Sequence, residues 1–263
     1  MAASGLGKHL GYDELISFDM GGTSAKASLM EKATPRLAAE FEVGTEQHGV
    51  FTTRTRGYPI RAAMIDLVEC SAGGGSIAWV DTAKVLKVGP RSAGADPGPA
   101  CYGKGGTQAT VTDAQVVLGR ISPEHSLGGE FNVDGQMASD AVTQNIAGPL
   151  GMKPEQAAQG IIEIANAHME SILRVVSVQR GFDAREFTMI AFGGAGPLHA
   201  VDLANELGIK EVIVPLHPGL FSAQGLCLAE VRNEFVRTRV TRLADENLEA
   251  ILEVAAELEV APL

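Results

Sequence analysis

Apolar and polar positions first form a regular pattern at Leu15. From Leu15 to Met30 two short apolar runs flank Gly21-Gly22-Thr23-Ser24. This predicts strand, tight turn, strand, with the carboxylate of Asp19 at the end of the first arm. A strand-like run from Ile60 to Glu69 precedes Gly73-Gly74-Gly75, and Ile77–Asp81 with Val85–Val88 predicts another hairpin. Residues 91–107 are dense in Gly and Pro, follow neither a helical nor a strand period, and predict a structured loop.

The helical period begins near Thr112. Asp134–Ile146 is one predicted helix, and Pro154–Arg180 is the longest. In the latter Ile161, Ala165, Met169, Ile172, Leu173 and Val176 fall on one face. Pro154 suits a helix first turn, Gly181 suits a left-handed stop, and Glu170 and Arg174 are spaced to pair on the wet side. A buried strand is predicted at Phe187–Phe192, then a Gly193-Gly194-Ala195-Gly196 turn and a helix from Pro197. A strand at Glu211–Val214 and a helix from about Gly219 follow. This βαβα run implies an α/β fold with parallel strands and crossover helices. Glu234–Arg242 alternates like an edge strand, and Asn247–Glu259 is amphipathic.

Composition narrows the function. The 263 residues carry a formal charge of −11, which disfavours a phosphate-tracking nucleic-acid binder. A local nucleotide pocket remains compatible, because backbone N–H groups and Mg²⁺ handle phosphate locally. The 31 glycines cluster in a few loops, which suggests backbone-built sites. Three cysteines, Cys70, Cys101 and Cys227, form no CxxC pair, so a disulfide framework or zinc site is not expected and a reducing cytoplasm fits better. No signal peptide or membrane span is expected.

Four loops carry candidate chemistry. Asp19 with Gly21-Gly22-Thr23 is the sharpest: glycines let the backbone approach phosphate oxygens, Thr23 or Ser24 adds a hydroxyl, and the carboxylate can hold Mg²⁺ directly or through water. The competing reading is a turn-capping Asp. The Gly193–Gly196 turn lies between strand and helix, where doubly wound folds place nucleotides, although a plain junction has the same pattern. The two loops in this order favour the nucleotide reading. The third, Asp66–Glu69 with Ala72–Ser76, could shape a pocket for a small polar ligand. The fourth is Asp96–Gly103 with Asp113 downstream. Cys101 reads as a buried neutral thiol and His199 as a packing or capping residue.

Five blocks then match a known family in order: FDMGGTSAKASLM, MIDLVECSAGGGSIAWVD, VGPRSAGADPGPACYGKGGTQATVTDAQVVLGR, IANAHMESILRVVSVQRGFD and AFGGAGPLHA. Over about residues 10–235 the chain closely resembles the hydantoinase A / 5-oxoprolinase family of the actin-like, sugar-kinase-like ATPase superfamily. The resemblance implies a ribonuclease H-like lobe with a mixed sheet and flanking helices. It implies ATP-dependent opening of a small cyclic amide such as 5-oxoproline or a hydantoin by carbonyl phosphorylation, with ATP and Mg²⁺ as cofactors. By it Asp19 is the catalytic and Mg²⁺-holding residue, and Gly21, Gly22, Thr23, Ser24, Gly193, Gly194 and Gly196 bind nucleotide. Glu69, Gly74, Gly75, Ser76, Asp96 and Asp113 are the candidate substrate pocket.

An actin-like ATPase has two phosphate hairpins, and this chain has one of the DxGGT type. The expectation is therefore a fragment or split piece: a lobe at 10–242 with the 91–107 loop inserted, and a shortened C-terminal helix at 243–263. Such a piece is expected to be inactive without the family's N-terminal half and a hydantoinase B-type partner. Apolar surface awaiting that half is expected around the 73–76 and 94–103 loops. A small-molecule kinase and a non-catalytic assembly module are the rival readings, the first disfavoured by the ADPGPACYG and AGGGSIAWVD blocks. Neither nucleic acid nor membrane is an expected partner.

Overall fold

The computed structural model describes residues 1–38, 41–43, 58–60, 64–124, 132–229, 237–238, 240–242, 244 and 247–259. Helix α1 (Ala2–Leu10) leads into strands β1 (Leu15–Met20) and β2 (Ala25–Glu31). Short strands follow: β3 (Thr34–Pro35), β4 (Leu37–Ala38), β5 (Phe41–Val43), β6 (Tyr58–Ile60), β7 (Met64–Ile65) and β8 (Leu67–Cys70). The hairpin of β9 (Ser76–Val80) and β10 (Leu86–Ser92) precedes α2 (Val111–Val117) and α3 (Gly135–Val142). A π-helical turn at Thr143–Ala147 and the short α4 (Gly148–Leu150) lead to α5 (Pro154–Val176). Then come β11 (Thr188–Phe192), α6 (Gly196–Leu207), β12 (Val212–Ile213), α7 (Phe221–Cys227) and α8 (Leu248–Glu259).

The main sheet runs β12-β11-β1-β2-β3, with β8 on the free half of the β2 edge. β1, β11 and β12 are parallel, whereas β2 is antiparallel to β1 and to its outer neighbours. The predicted hairpin and βαβ unit thus form one mixed sheet. Alternation along β1 divides its side chains between two cores. Ile16, Phe18 and Met20 join the larger core, built with the apolar face of α5 and with α2 and α6. Leu15 joins the smaller one, under α1 and α7. Asp19 shares the parity of Leu15 and Ser17, so it leaves the strand on the α7 side.

Several elements depart from the sequence pattern. The run predicted over Ile60–Glu69 is broken between β7 and β8, and the helix predicted over Asp134–Ile146 turns π-helical at Thr143. α5 ends at Val176, before the predicted Arg180, because Ser177 leaves helical geometry (φ −111, ψ −87) and donates its Oγ–H to the Leu173 carbonyl at 2.6 Å. A 3₁₀ turn over Val178–Arg180 then runs to Gly181 at φ 86. α1 has no large-residue period to announce it. Its small face fits closely on β1 and Ala33, and Ser4 Oγ donates to the Ala33 carbonyl at 2.6 Å. Within Glu234–Arg242, residues 234–236 and 239 lie outside the described residues, and the others form no strand.

The exposed apolar side chains also lie elsewhere than expected. Among the described residues none of the large ones falls in 73–76 or 94–103. Those loops are Gly-, Ala- and Pro-rich, and Ala72–Ser76 and Gly98–Cys101 are buried. Large exposed apolar side chains instead occur at Tyr58, Ile60, Met64 and Leu67, and along Leu216, Leu220, Leu226 and Leu228.

Candidate functional site

Parallel strands β1 and β11 pair so that Asp19 lies opposite Phe192, and their C-terminal ends open at the same edge of the sheet. In parallel α/β sheets ligands bind beyond those ends. The 21–24 turn leaves β1 there and is closed by Gly21 N–H donating to the Ser24 carbonyl at 3.1 Å. The 193–196 turn leaves β11 beside it, tied by Ala195 N–H to the Met20 carbonyl at 2.9 Å. The 73–75 loop lies against the hairpin: Gly74 and Gly75 N–H donate to the Gly21 and Gly22 carbonyls at 3.0 and 2.7 Å. A Cβ added at Gly74 would lie 3.9 Å from both Ala195 Cβ and the Gly21 carbonyl oxygen. Three glycine loops far apart in sequence therefore meet at one place.

Their glycines differ in kind. A Cβ at Gly73 would stand 2.5 Å from Gly22 C and Thr23 N, so this position permits two backbones to touch. At Gly21, Gly22 and Gly194 an added Cβ would meet nothing within 4 Å, and none of the three has a positive φ. Neither packing nor backbone geometry within the chain requires glycine there. An approaching ligand would. Gly22 and Thr23 are exposed, Gly21 and Ser24 half-buried, and Gly194 exposed.

Asp19 is half-buried, and its Oδ2 accepts a hydrogen bond from Ser222 Oγ at 3.1 Å. Gly193 packs against the same carboxylate and the Met20 carbonyl, closely enough that a side chain there would collide with both. Gly193 N–H donates to the Pro218 carbonyl at 2.9 Å, so the segment before α7 holds the end of β11 while Ser222 of α7 contacts the end of β1. Ser222 has no sequence signal linking it to Asp19. The two are 203 positions apart, and only the packing of α7 on the β1 face unites them.

Of the other expected pocket residues, Gly74, Gly75, Ser76 and Asp113 are engaged in the framework, whereas Glu69 and Asp96 are exposed. Gly74 and Gly75 are buried beneath the hairpin, and Ser76 Oγ accepts Gly73 N–H at 2.9 Å to close its own turn. Asp113 is fully buried as N3 of the α2 capping box. It accepts from Cys101 N–H (2.8 Å), Thr110 N–H (2.9 Å), Thr110 Oγ (2.7 Å) and Ala100 N–H (3.3 Å), which leaves little capacity for a ligand. Glu69 lies on the solvent side of β8, 3.8 Å from Lys26. Asp96 is exposed at the tip of the 94–98 loop, whose stem joins the site through Ala93 N–H to the Gly75 carbonyl.

A buried polar chain braces the site from below. His199, fully buried on α6, places Nδ1 2.6 Å from Asn166 Oδ1 of α5 and Nε2 3.1 Å from Gln115 Nε2 of α2. With these partners the ring is neutral, Nδ1 donating and Nε2 accepting. Burial first, and then Arg120, pull its pKa down to about 4. Thr112, at the start of α2, donates both N–H and Oγ–H to the Gly74 carbonyl at 2.8 Å. The packing role expected of His199 is thus a three-helix junction. Cys101 is fully buried, and its thiol is pushed far up by burial and the Asp113 carboxylate, as expected of an unreactive thiol.

Among the described residues no cluster of three His, Cys, Asp or Glu could enclose a metal ion, and no helix is long and apolar enough to cross a membrane. A cation at this site would have Asp19 as its carboxylate, with phosphate and water completing the shell. That suits Mg²⁺, which keeps several waters and binds through one or two carboxylates.

Comparison with known proteins agrees with this architecture. The chain is 45% identical over 258 residues to an uncharacterized protein of Methanocaldococcus jannaschii, covering 98% of this chain and 38% of that protein. It is 41% identical over 236 residues to caprolactamase subunit alpha of Pseudomonas jessenii, covering 90% of this chain and 32% of the relative. The crystal structure of the ATP-dependent caprolactamase from Pseudomonas jessenii superposes with a TM-score of 0.77 at 36% identity, over 98% of this chain and 36% of that one. Nucleotide-free acetone carboxylase, from a study of ATP-dependent acetone carboxylation, superposes at 0.73 and 31% identity, over 85% and 30%. The fold is the actin-like ATPase lobe expected from the sequence. The chain spans about a third of the length of these relatives and 17% of the length of the 5-oxoprolinases it also matches. The hydantoinase/oxoprolinase family profile matches residues 1–235, and the chain belongs to that family.

Proposed function

We propose that this chain is the nucleotide-binding lobe of an ATP-dependent enzyme that opens a cyclic amide. The carrying observation is the meeting of the 21–24, 73–75 and 193–196 loops beside Asp19, with open space over Gly21, Gly22 and Gly194. In this reading the N–H groups of Gly22–Ser24 and the Thr23 or Ser24 hydroxyl hold phosphate oxygens, and Gly194 lets adenosine pass close to the backbone, with Gly193 and Gly196 shaping the turn that presents it. Gly73–Gly75 form the floor that fixes the turn. Asp19 faces the phosphate end and would hold Mg²⁺ directly or through water. When bound, that ion neutralises phosphate charge and orients it for transfer.

The chemistry suits a ring amide. A lactam carbonyl is a poor electrophile because of amide resonance. Transfer of the terminal phosphoryl group of ATP to its oxygen releases ADP and gives an activated imidate. Water adds at that carbon, and the ring C–N bond breaks with nitrogen leaving as the amine. A second water hydrolyses the resulting acyl phosphate to carboxylate and phosphate. Several similar proteins are subunits of larger enzymes, which supports an enzyme that acts with partners: caprolactamase subunit alpha, acetophenone carboxylase gamma subunit and acetone carboxylase beta subunit. In the proposal a second lobe and a hydantoinase B-type subunit complete the site, in the cytoplasm.

The test is phosphate release by the assembled enzyme containing this chain, with 5-oxoproline, a hydantoin or caprolactam as the added ring. Ring-stimulated ATP cleavage with a ring-opened product is the expected result. Stimulation by a ketone and bicarbonate, with none by any ring, would overturn the cyclic-amide assignment.

A further inference from the structure

We infer that Ser222 is a positioning residue for Asp19, holding one carboxylate oxygen so that the other faces the phosphate end. The inference rests on the reading of Asp19 given above. Among the described residues, Ser222 Oγ is the side-chain donor to Asp19, at 3.1 Å. A carboxylate offers about four acceptor directions, so one hydroxyl fixes its rotation and leaves the rest for a cation or its waters. Gly193 limits the carboxylate on its other side, since even a Cβ there would collide with Oδ1.

Ser222 is held in place by its surroundings. The preceding Phe221 is buried and packs edge-on against Phe192, with ring centroids 5.1 Å apart. Gly225 is buried against α1, where a Cβ would stand 2.8 Å from Ala2 N. Upstream, the Pro218 carbonyl receives Gly193 N–H at 2.9 Å. The segment is therefore fastened at 218, 221 and 225, and Ser222 stands between these anchors as an exposed polar side chain directed at Asp19. An exposed hydroxyl contributes little to folding, which makes a structural role a poor account of this contact.

Outer groups that orient ligating carboxylates typically matter 10- to 100-fold for metal affinity or activity. The experiment measures ADP binding to the chain by calorimetry with and without Mg²⁺, alongside melting temperature, for wild type, Ser222→Ala, Ser222→Thr and Asp19→Asn. The expected result is that Ser222→Ala weakens binding in Mg²⁺ about 10-fold, leaves Mg²⁺-free binding and melting unchanged, and is rescued by Ser222→Thr. If Asp19→Asn abolishes the Mg²⁺ effect but Ser222→Ala does not change it, the inference fails and the reading of Asp19 stands. If Ser222→Ala weakens binding equally with and without Mg²⁺, the inference also fails, because the hydroxyl then acts other than through the cation. If wild type and Asp19→Asn bind alike in both conditions, the reading of Asp19 fails and takes the inference with it.

Discussion

Gly193 sits against the Asp19 carboxylate with a left-handed backbone, φ +84, so closely that a methyl group would strike both Asp19 Oδ1 and the Met20 carbonyl. Gly193→Ala is thus expected to cost stability on two counts, at least ~2 kcal/mol, through the left-handed backbone and the overlap. It also displaces Asp19. Gly194→Ala, one residue on in open space, should leave melting unchanged and weaken ADP binding. Chemical denaturation of the two variants checks the contrast.

The hairpin supplies a second contrast. Gly21→Ala and Gly22→Ala add a methyl group where nothing lies within 4 Å, so the free chain should melt normally. If the turn cradles phosphate, each should weaken ADP binding at least ~10-fold, one lost charge-assisted contact being worth about 1.5 kcal/mol or more. Gly73→Ala should instead destabilise the fold, because its methyl group would press on Gly22 C and Thr23 N at 2.5 Å. Melting and binding measured on the same three variants separate ligand-facing from framework glycines.

Asp19→Asn keeps size and hydrogen bonding and removes the charge. In the assembled enzyme it is expected to lower ATP cleavage at least ~100-fold, the scale of losing a charge-stabilising contact in the transition state. Melting should change little. The turn-capping alternative has the reverse signature: a stability loss of about 1 kcal/mol with turnover retained.

His199 makes stability depend on pH. Its pKa is lowered from 6.5 to about 4 in the fold, chiefly by burial. Between those values the unfolded chain takes up a proton that the folded chain does not. The neutral ring's contribution is therefore complete above pH 6.5 and is lost as pH falls toward 4, on the order of 3 kcal/mol in all. His168, also lowered by burial, acts with the same sign. His199→Leu should flatten the denaturation midpoint across that window and lower stability at pH 7, because Asn166 and Gln115 lose their partner.

Periodicity made the frame legible. The β1–β2 hairpin, the apolar face of α5 and the β11–α6–β12 unit follow from spacing alone, because each large apolar face must be buried against another. α1 escaped because its Ala, Gly and Ser contacts leave no such period. The site was legible in its loops but not in their division of labour. Gly22 and Gly73 look alike in sequence, yet one faces open space and the other meets backbone. Asp19 and Asp113 are both acids beside glycine-rich turns, yet the second is buried under donors from its own helix cap, Thr110, and from the turn at Ala100–Cys101. Ser222 was invisible, since its partner lies on a strand 203 residues earlier.

Hydrogen exchange with and without saturating Mg²⁺–ADP tests the central claim most directly, because it reports amide by amide where the nucleotide sits. The account predicts slowed exchange at the amides of 22–24 and 194, and little change around the cavity of about 450 Å³ lined by Cys101, Tyr102, Asp134 and Met137. Protection at that cavity, with none at the two turns, would contradict it.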